Sequence, residues 1–62
     1  MTEKELLYLE DAISHEKIII ELLDDFINKC PESINNFFNS EKEKHQQLEN
    51  NLLNKMREKA NG

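Results

Sequence analysis

The segment 27-INKCPESI-34 decides the fold, because it holds the single proline, Pro31, in a chain of 62 residues whose single glycine is the terminal Gly62. Proline is disfavoured inside a helix and favoured in a first turn, so Cys30-Pro31 ends one helix and Glu32 stands near the start of the next. Before the break, Leu6, Leu9, Ile13, Ile20, Leu23 and Ile27 recur at steps of three and four. Thr2 followed by Glu5 fits a capping box. After the break, Ile34, Phe38, Leu48, Leu52 and Met56 repeat the spacing. Glu32 suits the positive end of a helix dipole, and Lys55, Arg57 and Lys59 suit the negative end. No alternating strand pattern and no glycine-rich loop is present. The spacing predicts an all-α antiparallel two-helix hairpin forming one domain over residues 1–62. Its helix 1 spans about 3–29, its turn about 30–32 and its helix 2 about 33–58.

Composition bounds the function. Charged residues make up 34% and hydrophobic residues 37%, with a net charge of -5. That balance speaks against a phosphate-binding surface, which needs a basic patch, so no nucleic-acid partner is expected. No apolar run approaches a membrane span, and 1-MTEKELLYLED-11 lacks the basic start and apolar core of a signal peptide. Cys30 is the sole cysteine and cannot form an internal disulfide, so a cytoplasmic setting is the expectation. Cys30 has no histidine nearby in the hairpin, and no serine has a base and an orienting acid at a fixed spacing. A catalytic thiol is therefore not expected and hydrolase chemistry has no support in the residues, so the chain reads more as a non-enzyme than as an enzyme.

Antiparallel arms joined near residue 31 pair Ile27 with Ile34, Leu23 with Phe38, Ile13 with Leu48, Leu9 with Leu52 and Leu6 with Met56. The same register pairs Ile20 with Glu41 and Glu16 with His45. Glu16 is the polar interruption of the first seam, and Glu41 and His45 interrupt the second, so these residues form one cluster halfway along the arms. Two readings of the cluster are open. A carboxylate bonded to an imidazole can serve as a polar layer that sets register, as buried polar residues do in coiled coils. Alternatively, Glu16, Glu41 and His45, with His15 as an additional candidate, are metal ligands of the carboxylate and imidazole type that suits iron, manganese or zinc. The other charges, among them Glu10, Lys17, Asp24, Lys42 and Glu49, read as a solvated face.

Helix 1 carries a second apolar stripe, Tyr8, Ala12, Ile19, Leu22 and Phe26, with His15 in the same series. Phe37 and Leu53 widen helix 2. One partner helix cannot cover so wide a face. A small scaffold without disulfides needs another source of burial. The expectation is a homodimer or higher even oligomer, two hairpins forming a four-helix bundle.

The segments 9-LEDAISHEK-17 and 44-KHQQ-47 resemble small two-helix proteins of spore-forming bacteria related to spore coat protein F, often grouped with ferritin-like proteins. The resemblance implies a ferritin-like bundle, a spore-coat or sporulation association, and a carboxylate-histidine metal site at the dimer centre. The ferritin-like motif spaces glutamate and histidine by three. Here Glu41 and His45 are four apart, and Lys42 holds the position three before His45. Two-helix sporulation phosphatases acting on response regulators are of similar size, which keeps a signalling regulator open. Their Ser-Gln-Glu-Leu-Asp motif is only echoed by 45-HQQLE-49. Structural or interaction protein, metal-binding bundle and signalling regulator are thus the three classes that the sequence leaves open.

Overall fold

A computed structural model describes the backbone of residues 2–60 and the side chains of residues 2–58, so Lys59's side chain lies outside the described residues. Two helices run antiparallel, α1 over Glu3–Lys29 and α2 over Glu32–Ala60. Together they form a rod with extents of 46 × 15 × 10 Å. Neither helix is long and apolar enough to cross a membrane.

Local chemistry sets the ends. The Glu5 N–H donates to Thr2 Oγ1 at 3.2 Å, which satisfies one of the orphan donors of the first turn. The Thr2 hydroxyl in turn donates to Glu5 Oε1 at 3.1 Å. The reciprocal link of the predicted box is therefore made through the hydroxyl. At the other end Cys30 adopts φ -90° and ψ 153°. The ring of a following proline clashes with a helical residue, so the position before Pro31 is driven to extended backbone. The Cys30 N–H still donates to the Phe26 carbonyl at 2.8 Å. Pro31 precedes the first residue of α2, where its missing N–H removes no helical bond, and its carbonyl accepts from Ile34 N–H at 3.1 Å.

The α1 seam is the one its spacing predicts. Ile13, Glu16 and Leu23 are buried, and Leu6, Leu9, Ile20 and Ile27 are half-buried. The α2 seam is rotated from the predicted one. Phe38, His45, Leu52 and Met56 face α1, but the positions between them are Asn35, Lys42 and Glu49, all half-buried. Ile34 and Leu48, expected inside, are 42% and 44% exposed. The physical reason is width. The apolar positions of α2 span more of its circumference than one neighbouring helix covers, so part of the stripe must turn aside. Lys42 tolerates the seam because its methylene stem lies along it while the ammonium reaches Asp24 at 2.5 Å.

Rings consolidate the turn end. Phe38 packs on Phe26 with centroids 5.4 Å apart and on Phe37 at 5.6 Å, within the range of favourable aromatic pairs. Even so, Ile13 and Leu23 are the only hydrophobic residues that are buried among those described.

Asn35 occupies a seam position with its Oδ1 buried and without a hydrogen-bond partner among the described residues. An unpaired buried acceptor is destabilising by about 1–3 kcal/mol. Asn35→Leu should therefore stabilise the hairpin by about 1 kcal/mol or more, read as a higher melting temperature in circular dichroism. An unchanged or lower melting temperature would show that Asn35 is satisfied in solution.

Candidate functional site

Midway along the rod, α1 points Glu16 into the seam and α2 points His45 at it. Ile13 lies one turn before Glu16 and Ile20 one turn after, buried and half-buried. The Glu16 side chain is 11% exposed and that of His45 29%. His45 Nδ1–H donates to Glu16 Oε2 at 2.6 Å, the short distance of a charge-assisted bond. A carboxylate this buried is tolerated only with such a partner.

The remaining predicted ligands do not join the pair. Glu41 is half-buried one turn before His45, and its carboxylate meets Lys44 Nζ at 3.4 Å. His15 is exposed and lies 3.6 Å from Asp11. Among the described residues no three histidine, cysteine, aspartate or glutamate side chains form a group that could hold a metal ion. A single chain therefore supplies two convergent donors, Glu16 and His45, where a protein metal site ordinarily draws on at least three. Within one chain the polar contact of Glu41 is with Lys44, and Glu41 does not join the pair.

Catalysis by the pair alone would require a nucleophile or a substrate cleft beside it. Cys30 lies at the turn, at the far end of a half-length of α1, and no serine bonds to His45 among the described residues. What the pair can do is fix alignment. Asp24–Lys42 adds a second polar link between the helices nearer the turn. This link, and the half-buried Glu49, lie at positions that read as solvated charge in the sequence. The signal for them is present: 35, 38, 42, 45, 49, 52 and 56 are also spaced by three and four. Polarity concealed that series behind the more apolar one.

Comparison of the chain with protein-family models, with curated proteins and with solved structures finds no match.

A polar layer and a metal site respond differently to mutation. As a polar layer, His45→Ala should destabilise the hairpin by about 1–3 kcal/mol, because Glu16 is left buried and unpaired. Replacing Glu16 and His45 together by Leu should be neutral or stabilising, since an apolar pair removes the desolvation cost. Urea denaturation of the three proteins measures both. A wild type whose melting temperature rises with added zinc, manganese or iron, with the rise lost in His45→Ala, would instead identify a metal site.

Proposed function

We propose that this chain is a small structural or interaction protein that acts by covering its apolar face against another protein surface. The observation that carries this reading is the placement of the exposed hydrophobic side chains. Tyr8, Leu22 and Phe26 of α1 are 63%, 49% and 40% exposed, and Ile34, Phe37 and Leu48 of α2 are 42%, 60% and 44% exposed. Helical periodicity sets Tyr8, Leu22 and Phe26 on one stripe, about a quarter-turn from the α1 seam. Ile34, Phe37 and Leu48 are displaced from the α2 seam in the same rotational sense. Because the helices run antiparallel, both displacements lead to the same side of the rod. The opposite side presents Glu10, Lys17, Asp24, Asn39 and Gln46. An amphipathic rod of this kind has one face suited to water and one suited to burial.

The polar layer serves the same end. Glu16 and His45 hold the two helices in one alignment, so that the two half-faces meet as a continuous surface. The spore-coat or sporulation setting that the resemblance implies is compatible with an assembly role of this type.

Side-chain footprinting tests the reading. Carbene labelling of the protein in an extract of its source cells should leave Phe26 and Phe37 protected relative to Leu7, which is 59% exposed and lies on the outer side of α1. Equal labelling of all three in the extract would remove the basis for an interaction role.

A further inference from the structure

We propose that the occupant of the apolar face is a second copy of this chain, with the two turns at the same end of the assembly. The proposal rests on the interaction reading above and names the partner and its orientation. The two-fold axis runs along the rod, so α1 of each copy lies over α2 of the other. All four helices then have antiparallel neighbours.

Area supports a second copy. A fully exposed large side chain offers about 150–250 Å², so the exposures of Tyr8, Leu22, Phe26, Ile34, Phe37 and Leu48 leave roughly 450–750 Å² of surface, most of it apolar. A standard interface hides roughly 800 Å² per partner, of which about two-thirds is apolar in homodimers. The face is therefore of the size that one copy of itself would cover. Charge supports it as well. The chain carries a net charge of -5, yet Glu3, Glu10, Glu21, Asp24 and Glu43 lie on or toward the other side. Two copies can meet without opposing most of their carboxylates.

Orientation follows from matching side chains along the face. The internal alignment of Glu16 with His45 sets which residues of α1 and α2 share a level. With both turns at one end, Phe26 falls beside the partner's Ile34 and Leu22 beside the partner's Phe37. Ala12 falls beside the partner's Leu48, a small residue opposite a large one. With the turns at opposite ends, each helix would instead pack on its own copy. Phe37 and Ile34 would then both lie toward the partner's Lys55, the α2 residue on the same stripe near the open end. That arrangement buries two large apolar side chains against a charged group, which forfeits the gain from burial. The turn-to-turn arrangement places apolar on apolar throughout the turn half. It gathers His15, Glu41 and Lys44 in the middle and leaves Lys55 near the partner's Tyr8 at the open end.

Cys30 reports the arrangement without any mutation, because it is the sole cysteine and sits at the turn. A nitroxide attached to Cys30 should give a label-to-label distance on the order of 20 Å by double electron-electron resonance, about two helix diameters. Sedimentation of the same sample should give the mass of a dimer. A dimer with labels separated by about the 46 Å length of the rod would overturn the orientation. A helical monomer at 100 μM would overturn the second copy as occupant. Footprinting in the cell extract separates that failure from failure of the interaction reading, since protection there without self-association in pure protein points to a different partner. Phe37→Glu should weaken self-association by at least about 30-fold, as loss of a buried aromatic anchor does. Asn39→Glu, on the opposite side, should leave it unchanged.

Discussion

The rest of the structure depends on the bond between Glu16 and His45. Hydrophobic seams are poor rulers, since leucine against isoleucine differs little from leucine against leucine. A buried carboxylate is a good ruler because its alternatives are unfavourable. A slip of four residues between the helices would set Glu16 against Glu41 or Glu49, carboxylate on carboxylate. A slip of seven would set it against Phe38 or Leu52, where nothing neutralises it. The observed alignment instead sets it 2.6 Å from His45. Asp24–Lys42 adds weight on one edge of the seam, though as a partly exposed ion pair it contributes little on its own.

Alignment has a consequence for the outer surface. Once the two helices are held in register, the outward stripes of α1 and α2 are held in register too. The aromatic contacts of Phe38 with Phe26 and Phe37 tie the inner seam to the outer face near the turn. The interior of a two-helix rod is thin. No side chain is fully buried among the described residues, and its buried hydrophobic residues are Ile13 and Leu23. Short chains expose a large share of their surface, and those without disulfides or metal commonly gain burial from another chain. The same apolar side chains that leave the rod short of core are the ones the proposed assembly covers.

The Glu16–His45 layer need not be a reactive centre to account for its cost. A buried polar contact that selects alignment contributes specificity even where an apolar pair would be more stable. The chain brings one carboxylate and one imidazole together, with Glu41 beside Lys44.

The two helices, their break at Pro31, the N-terminal cap and the pairing of Glu16 with His45 are legible in the sequence. Each depends on local rules or on counting residues from the turn. Proline excludes helix at the residue before it, threonine caps a first turn, and a turn of known position sets which residues oppose one another. The width of the apolar face is legible too, from Tyr8, Leu22, Phe26 and Phe37. The rotation of α2 about its own axis is not. Asn35, Lys42 and Glu49 share the seam with Phe38, His45, Leu52 and Met56, and Ile34 and Leu48 are turned aside. Spacing by three and four is satisfied equally by the series through 34, 41 and 48 and by the series through 35, 42 and 49. Hydrophobicity favours the first, but the helix adopts the second. The reach of Lys42 to Asp24 and the fit of Phe38 against Phe26 are contacts made only once both helices are in place. Periodicity determines which residues share a stripe of a helix, and only tertiary packing decides which of two adjacent stripes faces the neighbour.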